Sequence, residues 1–315
     1  MTTMYFLTAV ISFLITLVLI PIAKKMGMKY GIYDNPERDP LKIHRRPIPN
    51  LGGAVIFAAV LVSTMVSVIF VKADLWKLLG VLSCGVIVLA LGLWDDLRWK
   101  NTTIYKPIIK FTAQVLVSAL VGILLFIIGL RIQFIPIPVV MGALAAFYVF
   151  GGMNAVNMQD GIDGLAGGLV AVSAVGFTAL SAYTGNTLGL VLSLSTLGAV
   201  SGFLVYNSYP ASIFMGDNGS HFVGFMLVLL AISFTSKPYD VRWFIGPILI
   251  IGLPVFDAAW AVIRRLLRRK PLFEGDRGHL YDRMMRRGLS VRQTVFACCL
   301  LQAVFVGSGI LLLVL

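Results

Sequence analysis

Apolar runs of about twenty residues, parted by polar stretches, recur along the chain from its first residues to its last. Each is long enough to cross ~30 Å of hydrocarbon as a helix. Ten spans are predicted, at residues 4–23, 50–71, 76–94, 108–130, 133–150, 164–182, 186–206, 219–235, 242–263 and 292–314. The least marked boundary is the short turn near Arg131. Connections 24–49, 95–107, 151–163, 207–218 and 264–291 follow odd-numbered spans, and the other four are short. The expected fold is all-α: a single polytopic membrane domain over residues 1–315 with about ten transmembrane helices.

Composition agrees with this. Hydrophobic residues make up 58% of the chain and charged residues 13%, against about 25% charged in an ordinary soluble domain. The net charge of +12 need not mean nucleic acid, because loops facing anionic lipid carry the same excess. Of the 26 basic residues, 21 fall on the connections after odd spans or at their edges. Those connections are therefore expected to be cytoplasmic, with both termini external, in a bacterial inner membrane. Cys84, Cys298 and Cys299 lie within apolar runs without metal-ligand spacing and read as small buried hydrophobes. The first run has no basic leader or small-residue cleavage site, so it is expected to be a retained helix.

Polar residues then stand out by position. Asp95 and Asp96 close the third span, where an acid opposes the helix dipole and makes a poor cap for its own helix. Asn154, Asn157, Asp160 and Asp163 recur every three residues in a polar interruption that holds no Lys or Arg. Unpaired acids at membrane depth cost ~3 kcal/mol each, so they imply a cation or a wet cavity. Asp217, between glycines and before Ser220, reads either as a helix N-cap or as a ligand. These hard oxygens suit Mg²⁺, with Mn²⁺ able to substitute, completed by water and substrate phosphates. The basic segment His44-Arg45-Arg46-Pro47-Ile48-Pro49, ending in Gly52-Gly53, suits a phosphate group, and its prolines prevent a regular helix. In the last loop, Arg264 to Lys270 reads as positive-inside charge, while His279 and Arg283 are candidate substrate contacts. Asp257, inside the ninth span, reads equally as structural or functional.

In this order the clusters resemble the polyprenyl-phosphate N-acetylhexosamine-1-phosphate transferases. The matches are His44…Pro47-x-Pro49-x-x-Gly52-Gly53, Asp95-Asp96, Asn154-x-x-Asn157-x-x-Asp160-Gly-x-Asp163-Gly164 and Gly216-Asp217-x-Gly219-Ser220. The resemblance implies ten helices with both ends outside and a cytoplasmic active site. It implies Mg²⁺ held mainly by Asp217 with Asn157 nearby, Asp95 and Asp96 facing the lipid phosphate, and Asp160 and Asp163 on the nucleotide-sugar side. It makes Lys110 a phosphate contact and allows a homodimer. The last loop departs from the His-x-His-His pattern of WecA/TagO-type members, since only His279 remains and Tyr281 and Asp282 hold the other two places. The Asp34-x-Pro36…Lys42-x-His44-x-x-Pro47 entry still favours that branch over MraY, the phospho-MurNAc-pentapeptide transferase of peptidoglycan synthesis.

The implied reaction moves N-acetylglucosamine 1-phosphate from a UDP-sugar to undecaprenyl or another polyprenyl phosphate, releasing UMP. A cation-coupled transporter is the rival from another class. Transporters, however, place ionisable groups near the bilayer midplane, often in paired repeats, whereas here the acids sit at span ends beside basic loops.

Overall fold

The computed structural model describes residues 2–36, 46–71, 74–98, 107–235, 237–269 and 277–315. Their elements run α1 (Thr2–Lys29), β1 (Tyr33–Asp34), β2 (Ile48–Pro49), α2 (Gly52–Phe70), α3 (Leu75–Arg98), α4 (Pro107–Ile127), α5 (Pro138–Asn157), α6 (Leu165–Thr184), α7 (Thr187–Asn207), α8 (Gly216–Ile232), α9 (Val241–Ile250), α10 (Gly252–Leu267), α11 (Leu280–Arg286) and α12 (Val291–Val314). Helices α1–α7 and α12 are each long and apolar enough to cross a membrane, so the all-helical, polytopic expectation holds. The two strands form one small antiparallel ladder, Tyr33 opposite Pro49.

Three spans differ from the pattern in the sequence. The fifth starts at Pro138, later than expected, because Pro138 occupies the first helical position after an extended Ile137. It continues through Asn157, so Asn154 and Asn157 lie on the last turn of α5 rather than in a loop. The eighth is only 17 residues long, about 25 Å, and every residue from Asn218 to Ile232 is buried. It runs through the middle of the bundle, packed by α2, α3, α5, α6, α7 and α9. A helix apolar on all sides belongs in such a place.

The ninth span is two helices, α9 and α10, bent by 90°. Pro254 has no N–H to offer the Ile250 carbonyl, and Ile251 leaves helical geometry at φ −101°, ψ 11°. Gln302 of α12 supplies what the ladder loses. Its Nε2 donates to the Ile250 carbonyl at 2.7 Å and to Ser173 Oγ at 2.9 Å. Its Oε1 accepts from the Leu253 N–H at 2.9 Å. A side-chain amide thus stands in for a peptide group, which broken helices at membrane depth require.

Because the spans alternate in direction, the C-terminal ends of α3, α5 and α7 meet the N-terminal ends of α2, α4, α6 and α8. Asp95, Asp96, Asn154, Asn157, Asp160, Asp163 and Asp217 lie there.

Candidate active site

The first turn of α8 is the centre of this end. Extended pairing brings α2 to it: the Phe214 N–H donates to the Pro49 carbonyl at 2.8 Å, and the Gly52 and Gly53 N–H groups donate to Phe214 and Met215 carbonyls at 3.0 Å each. Glycine is required at the contacts. A Cβ on Gly53 would lie 2.2 Å from the Gly219 backbone, and one on Gly92 would lie 2.4 Å from Asn218 Cα. The ends of α2 and α3 therefore touch α8 backbone to backbone.

Asp217 occupies the second position of α8 and is not its N-cap. The capping is done from another helix. Asp96 accepts the Asp217 N–H at 3.1 Å on Oδ1 and the Asn218 N–H at 3.0 Å on Oδ2. Its Oδ2 also takes Asn218 Nδ2 at 2.6 Å. Asp96 is thus a poor cap for its own helix but a good one for the N-terminus of α8. Asn218 Nδ2 reaches on to the Asn50 carbonyl at 2.9 Å, tying in the β2–α2 segment.

Beside it, the Lys110 ammonium lies between two acids, 2.6 Å from Asp217 Oδ2 and in direct contact with Asp95. Asn157 Nδ2 donates to Asp217 Oδ1 at 2.6 Å and to Ser220 Oγ at 2.9 Å. One turn deeper, Gln114 and His221 meet with their side-chain nitrogens 3.2 Å apart. This buried pair stacks a second polar layer beneath Lys110 and Asp217, at i+4 on each helix.

The rest of the Asn/Asp segment divides. Asn154 Nδ2 donates back to its own helix at the Phe150 carbonyl, 2.9 Å away. Asp160, half-buried past the end of α5, has its carboxyl pushed above the usual carboxylate range by desolvation, then by the like charges of Asp217, Asp96 and Asp163. Asp163 accepts the Ala211 N–H at 2.8 Å, and Asn207 accepts the Gly164 N–H at 3.0 Å. These two bonds join the α5–α6 loop to the α7–α8 loop and to the end of α7.

His279 lies on a neighbouring wall. Its Nδ1 is 2.7 Å from Asp257 Oδ2, and its ring stacks on Tyr281 with centroids 5.7 Å apart. Tyr281 in turn packs its hydroxyl against Gly161, where an added Cβ would come within 2.0 Å. Arg283 Nε donates to the Gly278 carbonyl at 2.9 Å, and Arg264 reaches the same oxygen at 2.6 Å. Arg264 and Arg265, within the stretch read as positive-inside charge, are buried. Arg46 is exposed at the entry to β2, and His44 lies outside the described residues. Sequence reasoning passed over Asn50, Asn207, Asn218 and Gln159, whose partners lie far along the chain and leave no local spacing signal. It left Asp257 undecided.

Among the described residues, no group of three or more His, Cys, Asp or Glu side chains forms a ready-made metal cage. The chemistry nevertheless fits a hard divalent cation. Asp95 is buried with the Lys110 ammonium against its Oδ2, and Asp96, Asp160 and Asp217 crowd the same place. Magnesium is typically held by one or two carboxylates, with waters and substrate phosphates completing the shell.

The chain matches the family described as "Glycosyl transferase family 4" over residues 78–235. It is 32% identical over 314 residues to a protein of Bacillus subtilis (strain 168) named "Probable undecaprenyl-phosphate N-acetylglucosaminyl 1-phosphate transferase", covering 96% of this chain and 83% of the relative. It is 28% identical over 315 residues to the "Undecaprenyl-phosphate alpha-N-acetylglucosaminyl 1-phosphate transferase" of Salmonella typhi, covering 95% and 81%. A "Phospho-N-acetylmuramoyl-pentapeptide-transferase" of Staphylococcus carnosus (strain TM300) is 31% identical over 251 residues, covering 74% and 78%.

Proposed function

The chain belongs to glycosyl transferase family 4, and from that membership and the chemistry of its site we propose that it transfers N-acetylglucosamine 1-phosphate from a UDP-sugar to undecaprenyl or a related polyprenyl phosphate. The products are a lipid-linked diphosphate sugar and UMP, which would start a cell-envelope polysaccharide. The observation that carries this reading is the meeting of Asp95, Lys110, Asn157 and Asp217, from four helices, at the capped N-terminus of α8.

In the proposed reaction a lipid phosphate oxygen attacks the β-phosphorus of the donor. The new O–P bond forms as the bond to the α-phosphate oxygen breaks, and UMP leaves with that oxygen. No strong base is needed, since a phosphate monoester with its second pKa near ~6 is largely dianionic at neutral pH. Two anions must approach, so charge is the obstacle. Lys110 offers a cation poised at the reacting end, and the positive dipole ends of the helices that converge there favour phosphate. Asp217 would hold Mg²⁺, with Asn157 fixing its carboxylate and Asp95 beside it. The bound ion would neutralise developing charge on the phosphates. Asp96, with both oxygens accepting from α8, positions Asp217 rather than removing a proton. Asp160 and His279 face the donor side. The excess of Lys and Arg on the connections at this end supports a cytoplasmic orientation, in a bacterial plasma membrane.

The test is UMP release by purified protein in detergent, given polyprenyl phosphate and, in turn, UDP-N-acetylglucosamine and UDP-muramoyl-pentapeptide. We expect turnover with the first donor, loss of it in EDTA, recovery with Mg²⁺ or Mn²⁺, and none in Asp217→Asn. Release from the pentapeptide donor alone would reassign the substrate. Full activity in metal-free buffer would remove the metal from the reaction.

A further inference from the structure

We propose that Asp257 is a positioning residue for the donor side of the site, acting through His279; this rests on the transfer reading above. Asp257 stands six residues past the break between α9 and α10, buried at 6% exposure. Its carboxylate gathers three donors from two other parts of the chain. Oδ2 takes His279 Nδ1 at 2.7 Å and Gln159 Nε2 at 2.9 Å. Oδ1 takes the Leu280 N–H at 3.0 Å. One side chain thereby holds the N-terminus of α11 against the end of the α5 segment that carries Asp160.

The geometry is more specific than a brace requires. A hydrogen bond at Nδ1 fixes both the rotation of the imidazole and the nitrogen left to meet a ligand, Nε2. The ring is held a second time by its parallel stack on Tyr281, at an interplanar angle of 4°. Tyr281 closes the circuit by resting on Gly161, next to Asp160. The Leu280 N–H is a first-turn donor of α11, so the same carboxylate caps the helix that carries Tyr281 and Arg283. The bend explains how a residue of the ninth span comes to sit here. The Gln302 clamp holds α10 at 90° to α9, and α10 packs against α5. The ligand chemistry that this wall faces is the anionic diphosphate of a nucleotide sugar, for which a fixed imidazole nitrogen is a directional partner.

The experiment is a double-mutant cycle on the full-length protein in detergent, using Asp257→Ala, His279→Ala, the pair together, and Asp257→Asn. UMP release is followed at varied UDP-N-acetylglucosamine and, separately, at varied polyprenyl phosphate. A side chain that acts through another loses its effect once the other is gone. We expect Asp257→Ala to raise the donor KM about tenfold, the scale of one hydrogen bond to a charged group, with the acceptor KM changed less than about twofold. On the His279→Ala background it should cost less than about twofold more. Asp257→Asn, which keeps an acceptor oxygen, should fall between. If Asp257→Ala does not fold, the cycle is run with Asp257→Asn, for which the same non-additivity is expected. Additive losses, or equal rises in both KM values, would overturn the positioning role and leave Asp257 a structural brace. Absence of UMP release by the unmodified protein would instead refute the transfer reading itself.

Discussion

Lys110→Met is the sharpest test of the electrostatics at the centre of the site. The ammonium sits 2.6 Å from Asp217 Oδ2 and in contact with Asp95, and the side chains of Lys110, Asp95 and Asp217 are 17%, 2% and 28% exposed. Removing one partner of a buried ion pair costs ~3–5 kcal/mol, mostly because a buried charge is left unpaired. Here two carboxylates would be left facing each other. Two reliefs place the cost at the lower end: Asp95 can take up a proton, and Asp217 keeps Asn157 and some solvent. A loss of ~3 kcal/mol corresponds to a fall of about 6–12 °C in the melting midpoint, at 2–4 °C per kcal/mol. The second variant decides the cause. Lys110→Met with Asp95→Asn removes one of the opposed charges, so at least half of the loss should return. UMP release should stay at least ~10²-fold down in both, as when one preorganised charge-stabilising donor is deleted. Thermal unfolding in detergent measures the first effect and single-turnover UMP release the second. A Lys110→Met midpoint equal to the unmodified protein's, or a double variant that melts below it, would refute the picture of one ammonium separating two acids.

Two more expectations follow from the broken span and from the charge map. Gln302→Leu strands the Ile250 carbonyl and the Leu253 N–H inside the bundle; at ~1–3 kcal/mol for each unsatisfied buried group, moderated because interhelical polar contacts in membranes average ~0.6 kcal/mol, it should destabilise by ~2–4 kcal/mol and raise the donor KM along with it. An unchanged melting midpoint in that variant would show that the bend needs no clamp. With the native cysteines replaced, a cysteine at position 237 should react with an impermeant thiol reagent applied to intact cells and one at 268 should not; labelling at 268 from outside would invert the proposed orientation.

Much of the fold was legible because hydropathy reports one thing well, the length of an apolar run. Eight of the ten predicted spans correspond to long helices for that reason. The same measure could not distinguish α8 from a lipid-facing helix, because a helix buried on all sides in protein is as apolar as one facing lipid. Nor could it see the bend at Ile251, since Pro254 and Gly252 lie within an unbroken apolar stretch. Gln302, which makes that bend tolerable, looks in the sequence like a lone polar residue in the last span. The acids of the site were legible for the opposite reason: Asp95, Asp96 and Asp217 are too costly at those depths to be idle. What each does was not. Asp96 read as facing the lipid phosphate, and its bonds to the first turn of α8 gave no warning, because a cap provided from one helix to another leaves no spacing signal along the chain.

The charges at this end of the bundle explain why an acidic site could serve anionic substrates. Asp95, Asp96, Asp160, Asp163 and Asp217 gather there, and Lys110 returns one positive charge. The helix N-termini that converge here offset part of the remainder with roughly +0.5 each. Carboxylate charge left over repels a phosphate, and a bound divalent cation would counter it. Without acids to hold it, the ion would stay hydrated in bulk; with more cations in their place, Lys110 would have no partners and the phosphates would bind too firmly to leave. On this argument the acid excess is what makes the site's charge depend on bound metal. His279 and Arg283, which need no metal, then belong at the donor's edge, where Asp257 holds His279 and the Gly278 carbonyl holds Arg283.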